Sequence, residues 1–408
     1  MFNGELLEKY SELVIKLGVN LQKGQGLVIS CPVEKQEIAH ALTRSAYKHG
    51  ASIVRVRWND EIIDRLSYDH AELSVLKQVP KWVVDERKAL VDNNFCYISI
   101  SAEDPEIFTG VPEQKLAEVF KSRAKALKKF SDSVMANDIR WCVVSVPTKA
   151  WAKKVFPCAE EPEKELAEAI SKAMRLDKEN SLQDWNTHVN ELERRANLLN
   201  DKRFSALLFK NSLGTNLKVG LADDHVWLSA KETAKDGVGF IANMPTEEIF
   251  TAPHKDRVNG IVKSAMPLIY NGQLIDNFEL VFKNGKIINF NAQSGYEALK
   301  HLIQTDKGCL RIGEVALIDK KSPIAKMGIL FYNTLFDENA SCHLAIGKAY
   351  PTTIKNGDKL TSVELSKKGA NNSVEHVDFM IGTPDMNVYG VLSDQTETPL
   401  MLNGEWVI

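Results

Sequence analysis

Residues 26–58 read GLVISCPVEKQEIAHALTRSAYKHGASIVRVRW, and in this stretch a helix pattern separates two strand patterns. The segments GLVIS (26–30) and ASIVRVRW (51–58) are rich in valine and isoleucine, which favour strands. Residues 33–50 between them are typical of a helix that ends at Gly50. Strands joined by helices of this length indicate a parallel sheet. The stretch therefore predicts an α/β domain.

The remainder of the first half repeats this alternation. Two further strands are predicted at CYISIS (96–101) and WCVVSVP (141–147), and a polar, helix-favouring connector at 160–202. The segment KGQGLV (23–28) contains two glycines, but it precedes its strand instead of following it. Because the pattern G-x-G-x-x-G is also absent, nucleotide binding is not expected there.

The second half has a different texture, with short runs of strand-forming residues and hairpin signals. Asn-Gly pairs, which favour tight hairpin turns, stand at 271–272 and 284–285. Helices are predicted at residues 295–304 and 338–350. We therefore expect two domains, an N-terminal α/β domain with a parallel sheet (1–195) and a C-terminal α+β catalytic domain with a mostly antiparallel sheet (196–408).

The composition is that of an ordinary globular protein and excludes several partners. A formal net charge of −3 over 408 residues gives no electrostatic reason to expect nucleic acid or an anionic membrane as a partner. The six cysteines form no C-x-x-C pair, which indicates a reducing compartment. The N-terminus has the pattern of an amphipathic helix rather than a signal peptide, and no run of 18 apolar residues occurs. We expect a cytoplasmic protein.

The segment SVEHVDFMIG (373–382) is predicted to be a strand with an unusual face. Because strand side chains alternate, His376 and Asp378 share one face with Val374 and Met380. An imidazole and a carboxylate at this spacing, roughly 6.5–7 Å between Cα atoms, are able to converge on one cation. The alternative is an exposed polar face with no ligand.

Two other segments carry glutamates in apolar surroundings. In NMPTEEIFTAP (243–253), Glu247 and Glu248 precede an apolar pair, although this pattern also suits a turn or the start of a helix. In CLRIGEVALI (309–318), Glu314 is predicted to share a strand face with the apolar residues Leu310, Ile312, Ala316 and Ile318. A buried carboxylate must be protonated, paired or bound to a metal. A twist or bulge that exposes Glu314 is the alternative.

The segment LFDENASCHLAIGKAY (335–350) is interpreted as a helix. Asp337 would cap a helix that begins near Glu338. One face of that helix would carry His343, Gly347 and Tyr350. A lone histidine on such a face is more often a hydrogen-bonded core residue than a ligand.

Together the four segments provide oxygen and nitrogen donors without thiolates. Such donors suit zinc, cobalt or manganese in a hydrolytic centre. The two acidic segments and two histidines exceed what one tetrahedral zinc ion requires, so a two-metal site with a bridging carboxylate is the economical arrangement.

The motifs NMPTEEIFTAP, GEVAL, TLFDENASCHLAIGKAY and HVDFMIG, in this order and spacing, resemble those of the M29 metallopeptidases, the group that includes aminopeptidases T and S. The resemblance implies metal-assisted hydrolysis of the first peptide bond of a peptide with a free N-terminus, and a homodimer. It also implies two divalent ions per chain, zinc or cobalt, with magnesium and manganese as further candidates. The ligands that it implies are Glu248, Glu314, Glu338, His343, His376 and Asp378, with Glu338 a further carboxylate beside the other five.

The resemblance also suggests roles for individual residues. Glu314 is the candidate for the bridging carboxylate, and Tyr350 matches the active-site tyrosine of the family. Tyr350 would donate a hydrogen bond to the developing oxyanion. A carboxylate that is not a ligand must act as general base or hold the substrate ammonium, and Glu247 is the hypothesis for that duty. An exposed surface position is the alternative for Glu247.

Several other functions are compatible with parts of this pattern. Pita-bread peptidases such as methionine aminopeptidase begin their ligand order with two aspartates and end it with two glutamates, whereas the order here is Glu, Glu, Glu, His, His, Asp. The motif HExxH of the common mononuclear zinc peptidases is absent. A dinuclear phosphoesterase and a non-enzymatic peptide-binding protein remain as alternatives.

Overall fold

The computed structural model describes residues 4–408, so the first three residues of the predicted N-terminal helix lie outside the described part. The helices are α1 (Gly4–Leu13), α2 (Gln36–Lys48), α3 (Glu61–His70), α4 (Leu73–Leu76), α5 (Lys81–Asp92), α6 (Glu113–Met135), α7 (Lys149–Val155), α8 (Pro162–Ala173), α9 (Ser181–Lys202), α10 (Tyr296–Gln304), α11 (Pro323–Met327), α12 (Thr334–Asp337) and α13 (Ser362–Lys367). Helices therefore dominate the chain before residue 205.

Strands dominate the chain after residue 205. The strands are β1 (Gly26–Pro32), β2 (Ile53–Asn59), β3 (Cys96–Ile100), β4 (Trp141–Val144), β5 (Ala206–Lys210), β6 (Asn216–Leu221), β7 (Lys231–Thr233), β8 (Gly239–Ile241), β9 (Ile249–Thr251), β10 (Pro253–Lys263), β11 (Leu268–Tyr270), β12 (Gln273–Lys283), β13 (Lys286–Ser294), β14 (Ile312–Leu317), β15 (His343–Gly347), β16 (His376–Met380), β17 (Asn387–Val391), β18 (Glu397–Leu402) and β19 (Glu405–Trp406). This distribution agrees with the change from helical to strand-rich sequence predicted after the connector at 160–202.

The chain divides into two compact units. The first runs to Thr187 and also includes Lys231–Pro245, and the second consists of His188–Ala230 and Thr246–Ile408. The predicted domain boundary between residues 195 and 196 stays a prediction. Within the described residues, no helix combines the length and the apolar character needed to cross a membrane.

The first unit contains a parallel four-stranded sheet in the order β2-β1-β3-β4. The helix α2 leads from β1 to the neighbouring β2, and its apolar residues Ile38, Ala39 and Leu42 are buried. All residues of β1 are buried except the last, Pro32. The predicted parallel sheet with helical crossovers is therefore confirmed.

The second unit contains two antiparallel sheets, as predicted. The larger has nine strands in the order β11-β12-β10-β6-β5-β17-β18-β19, with β13 paired to β12. Both predicted hairpins form: Asn271 and Gly272 join β11 to β12, and Asn284 and Gly285 join β12 to β13. All four turn residues have positive φ, the conformation that Asn-Gly pairs adopt readily. The mixed α/β fold class is confirmed.

The smaller sheet of the second unit has the order β16-β15-β14-β9, and every pair in it is antiparallel. All residues of its central strands β14 and β15 are buried. In this article it is called the site sheet, because it carries most of the candidate ligands.

The helix predicted over residues 338–350 is wrong. Only the short α12 and a 3₁₀ turn at Glu338–Ala340 precede β15, which begins at His343. The segment HLAIG pairs on both edges, so sheet hydrogen bonds and complete burial outweigh its helical spacing. The predicted capping role of Asp337 is also wrong, because its carboxylate accepts hydrogen bonds from the backbone N–H groups of Phe331 and Asn333.

Candidate metal centre

The register of the site sheet places the candidate ligands on one face. Residues directly opposite each other in antiparallel strands point to the same side. Ala345 of β15 lies between Glu314 of β14 and Asp378 of β16. The pairs Ala316–His343 and Gly347–His376 extend the same face. The predicted common face of His376 and Asp378 is therefore confirmed.

A β-bulge at Gly313 sets the orientation of Glu314. Ile312 lies opposite Ile346, whereas Glu314 lies opposite Ala345, so one extra residue interrupts the alternation of β14. A Cβ atom at Gly313 would lie 2.3 Å from the carbonyl oxygen of Lys348, which explains why glycine occupies the bulge. Ile312 consequently points to the opposite face, and its predicted common face with Glu314 is wrong.

Val374 was predicted to share the strand face of His376 and Asp378, and this prediction is wrong. This residue precedes β16 and is 63% exposed, so it is not part of the strand face that carries His376. The strand begins at His376, where β15 provides the pairing partner Gly347.

Glu248 reaches the same face from the end of the sheet. It immediately precedes β9, in which Phe250 lies opposite Ala316. The carboxylate is buried, and its Oε2 atom lies 3.2 Å from Nε2 of His343. The alternative of a helix start is therefore wrong, because strand β9 follows, and the exposed position considered for Glu247 is wrong as well, because Glu247 is buried.

The side chains form two groups of donor atoms that share Glu314. The first consists of Glu248, Glu314 and His343, and the second of Glu314, His376 and Asp378, with the donor atoms of each group within 4.8 Å of one another. Nε2 of His343 lies 3.4 Å from one oxygen of Glu314, and Nε2 of His376 lies 3.7 Å from the other. Ligands around a tetrahedral zinc ion lie roughly 3.4 Å apart, since each is about 2.1 Å from the metal. The spacing therefore fits a cation in each group.

Backbone carbonyls orient both imidazoles. Nδ1 of His343 donates to the carbonyl oxygen of Glu338 at 2.8 Å, and Nδ1 of His376 donates to that of Lys348 at 2.7 Å. This arrangement leaves Nε2 of each ring directed at the carboxylates. A histidine that binds a metal through one nitrogen commonly donates the other N–H to a carbonyl or carboxylate.

Two buried polar atoms of the groups have no hydrogen-bond partner among residues 4–408. They are Nε2 of His343 and Oδ1 of Asp378, which lie 3.9 Å apart. An orphaned buried polar atom is costly unless something else satisfies it. A cation in each donor group would satisfy both atoms, so the residues present fit the metal that the resemblance implies.

The electrostatics of the groups reflect many carboxylates close together. Burial raises the pKa of Glu314 to about 7, although the two histidines favour its ionised form. Burial opposes the charged form of His376, but Asp378 and Glu314 outweigh it and raise the pKa of His376 to about 10. The pKa of His343 is likewise raised, because Glu248 and Glu314 outweigh its burial. These mutual shifts show that the carboxylates and imidazoles interact strongly at this face.

Glu338 faces the same groups. Burial raises the pKa of Glu338 well above its ordinary value, and the charges of Asp378 and Glu248 raise it further. Its carboxylate thus interacts electrostatically with both of these candidate ligands, but it is not part of either donor group.

The two candidate catalytic residues lie in different surroundings. The ring of Tyr350 packs edge-on against the ring of His376, with 4.8 Å between the centroids. Glu247 is buried, and its Oε2 atom lies 3.6 Å from Nε2 of His188 in α9. Whether these residues take part in catalysis stays a prediction.

Comparison with known proteins identifies the family. The model of the thermophilic metalloprotease family M29 matches residues 3–406. The chain belongs to the M29 metalloprotease family. Aminopeptidase 2 of Geobacillus stearothermophilus is 42% identical over 98% of this chain and 97% of its own length, and aminopeptidase AmpS of Bacillus subtilis is 40% identical over 98% of each. The structure of wild-type AmpT from Thermus thermophilus matches with a TM-score of 0.93 and 36% identity over 99% of both chains.

Membership of the M29 family confirms several predictions. The resemblance noted in the four motifs is correct, and so is the enzyme class, a hydrolase of the metallo-aminopeptidase type. A metalloprotease requires divalent metal, which agrees with the donor groups of the site sheet. The individual ligands, the number of ions and their identity stay predictions.

The sequence pattern did not indicate two side chains that bind the backbone next to the M29 site. His188 and Asn339 both bind the backbone beside Glu247. Asn339 lies within a motif that the resemblance used, so its position next to Glu338 was a usable signal. His188 carries no such signal, because it lies on a polar helix far from the motifs in sequence.

Proposed function

We propose that this M29 enzyme is an aminopeptidase whose centre holds two divalent cations on the face of the site sheet. The observation that carries the proposal is the position of Glu314, which belongs to both donor groups and directs one oxygen to each histidine. A carboxylate shared in this way is the usual bridge of a two-metal hydrolase. Glu248 and His343 would complete one ion site, and His376 and Asp378 the other.

The charge of the donor set is compatible with two ions. Metal binding requires neutral imidazoles and ionised carboxylates. In that state Glu248, Glu314, Glu338 and Asp378 would carry four negative charges, which two divalent cations would balance. Imidazole and carboxylate donors suit zinc or cobalt, and magnesium and manganese are further candidates. We assign Glu338 as an additional ligand, because its buried carboxylate interacts with Asp378 and Glu248, one member of each donor group.

The protein's own groups would then perform the hydrolysis of the first peptide bond. The cations would supply Lewis acidity, which polarises a substrate carbonyl and acidifies a water molecule. Tyr350, held against His376, would donate a hydrogen bond to the oxygen that becomes negative in the transition state. Glu247, next to a proposed ligand, would accept a proton or bind the substrate ammonium.

The substrates would be peptides with a free N-terminus, in agreement with the names of the relatives. We further propose that the enzyme acts in the cytoplasm as a homodimer.

The proposal is tested by metal analysis together with peptidase assays. We expect about two divalent ions per chain in loaded protein. Leucyl- or alanyl-anilide hydrolysis should vanish with chelator and return with zinc or cobalt, while the N-acetylated substrate should be inert. His376→Ala should lose one ion and the activity. His225→Ala is the control, because His225 also binds a backbone carbonyl, that of Ala222, but belongs to neither donor group.

Other outcomes would support a different function. Hydrolysis of aryl phosphates without hydrolysis of anilides would indicate a phosphoesterase. Cleavage of blocked peptides at internal bonds would remove the exopeptidase part of the proposal and leave the metal site intact. Absence of bound metal and of activity would favour a peptide-binding protein. For Glu247, unchanged kcat and metal content in Glu247→Gln would reject the assigned role.

A further inference from the structure

The peptide group between Thr246 and Glu247 is bound on both sides by buried side chains. Nε2 of His188 donates to the carbonyl oxygen of Thr246 at 2.8 Å. The N–H of Glu247 donates to Oδ1 of Asn339 at 2.7 Å. These are the two polar atoms of one peptide plane, and their partners come from α9 and from the 3₁₀ turn before β15. The plane is therefore fixed in position and in rotation.

The side chains of Asn339 and His188 are themselves restrained by burial and by further contacts. Asn339 is completely buried, and its Nδ2 atom donates to the carbonyl oxygen of Leu335 at 2.9 Å. The same Nδ2 atom lies 3.5 Å from Oε1 of Glu338. The side chain of His188 is only 13% exposed. Because each partner has little freedom, neither bond is a loose surface contact.

The fixed plane directly precedes the first acidic residue of the site. Glu248 follows it by one residue, and its carboxylate must lie within a few tenths of an ångström of its place to share a cation with His343 and Glu314. The backbone at 246–248 is outside any strand or helix, so no ladder of sheet hydrogen bonds holds it. Side chains must provide the restraint that a strand would provide elsewhere.

We propose that His188 and Asn339 are positioning residues for the metal centre, which fix the Thr246–Glu247 peptide plane and so direct Glu248 at its cation. Asn339 adds a second function, since it couples this plane to Glu338 on the 3₁₀ turn. The inference rests on the proposed two-metal centre. Neither residue belongs to the two donor groups. His188 acts through the carbonyl of Thr246, and Asn339 acts through the N–H of Glu247 and its contact with Glu338.

The test compares metal affinities of four variants with those of the wild-type chain. His188→Leu removes the bond to Thr246, whereas His188→Gln keeps an N–H donor near the same position. Asn339→Leu removes all three contacts of the amide and keeps the number and branching of the side-chain heavy atoms. Asn200→Leu is the matched control, because Asn200 on the same helix α9 accepts from the N–H and donates to the carbonyl of Trp227, away from the site.

Metal-free protein is titrated with Zn²⁺, and with Co²⁺ so that the visible absorption reports the ligand geometry. We expect His188→Leu and Asn339→Leu to weaken one of the two binding steps about 10–100-fold, the range known for groups that orient metal ligands. The affinity of the other step should change less than about threefold. His188→Gln should recover most of the lost affinity. Asn200→Leu should leave the affinities of both steps unchanged.

Each alternative outcome has a definite meaning. If the wild type binds two ions and both leucine variants bind them with wild-type affinity and spectrum, the positioning role is rejected while the metal centre stands. If the wild type itself binds no ion, the proposed function fails and this inference fails with it. If Asn339→Leu does not fold, the two His188 variants provide the test. Equal loss of metal affinity in His188→Leu and His188→Gln would contradict the role of the N–H donor.

Discussion

Each of the two four-stranded sheets of the molecule has a deeply buried central strand, but these strands differ in chemistry. In the parallel sheet, β1 (GLVISCP) is buried along nearly its whole length and carries no ionisable group except the thiol of Cys31. In the site sheet, β14 (IGEVAL) and β15 (HLAIG) are entirely buried and contain Glu314 and His343. Burial alone therefore does not distinguish a structural sheet from a functional one.

The difference shows how a protein keeps charge inside a sheet. A buried carboxylate without compensation costs several kcal/mol or takes up a proton. In the site sheet, compensation comes from neighbouring imidazoles and, in our proposal, from cations. Strand β1 of the parallel sheet needs none, since it contains no carboxylate or imidazole. Substitution of a buried residue should therefore mainly affect metal binding and activity in the site sheet, and mainly affect stability in the parallel sheet.

The largest effect is expected for Glu314→Gln. The amide cannot bridge two cations, so metal binding and kcat/KM should both fall, kcat/KM by about 10³-fold or more. The unfolding free energy of metal-free protein should change little or increase, because the substitution removes a buried charge that burial already disfavours. Metal analysis, anilide kinetics and urea unfolding of the metal-free protein measure the three quantities.

The control for this prediction is Glu279→Gln. Glu279 also lies on a strand of the second unit, but it pairs with Lys263 at 3.5 Å and is half-buried. Its substitution should leave metal content and kcat/KM unchanged. A loss of metal in this variant as large as in Glu314→Gln would mean that the site is sensitive to any strand carboxylate.

The second prediction concerns the parallel sheet. Ile29 in β1 is completely buried, and Ile29→Ala should lower the unfolding free energy by about 2–5 kcal/mol. The folded fraction should still bind metal with wild-type stoichiometry and keep its kcat. Denaturant unfolding monitored with metal analysis of the folded protein makes the measurement. A fall in metal stoichiometry would show that the two sheets are not separable in this way.

The fold was largely predictable from the sequence because its signals are local. The strand–helix alternation in the first half and the Asn-Gly pairs in the second act through nearby residues, and both kinds of element form as predicted. The segment HLAIG was misread because its spacing also suits a helix. What decides its conformation is pairing with β14 and β16, which are distant in sequence.

The site was predictable in its residues but not in its geometry. Glu314, His343, His376 and Asp378 could be named because ionisable side chains in apolar segments are conspicuous. The bulge at Gly313, which directs Glu314, depends on the close approach of backbone at residues 347 and 348. The carbonyls that orient both histidines belong to main chain and leave no trace in side-chain patterns.

The third prediction tests a residue at the edge of the donor groups. Tyr350→Phe removes the phenol and keeps the ring that packs against His376 and Phe250. We expect kcat to fall about 10²-fold with little change in metal content, because one donor to the oxyanion is lost. Steady-state kinetics on leucyl-anilide make the measurement, and Tyr389→Phe in β17 provides a tyrosine control outside the site. An unchanged kcat would remove Tyr350 from the mechanism.

The smallest effect is expected for Asp306, a carboxylate that accepts hydrogen bonds from residues just before strands β14 and β16. It accepts from the N–H groups of Gly308, Cys309 and Val374 and from the hydroxyl of Ser373, and so ties the segment before β14 to the segment before β16. Burial would raise the pKa of Asp306, but these bonds together hold it below its ordinary value. Asp306→Asn should therefore cost about 1 kcal/mol of unfolding free energy at pH 7, a value reduced by solvent screening, without loss of metal.

The pH dependence of this effect has a definite sign. Because the pKa of Asp306 is lower in the folded state, its stabilising contribution is complete above the unfolded pKa of about 3.9 and is lost as the pH falls through the folded value. The difference in unfolding free energy between wild type and Asp306→Asn should hence be constant from pH 7 to about pH 5 and shrink below pH 4. Urea unfolding of both metal-free proteins across this range measures it. A difference that grows on acidification would contradict the hydrogen-bonded carboxylate, and a loss of metal in the variant at pH 7 would show that Asp306 serves the ligands of β16 as well as the fold.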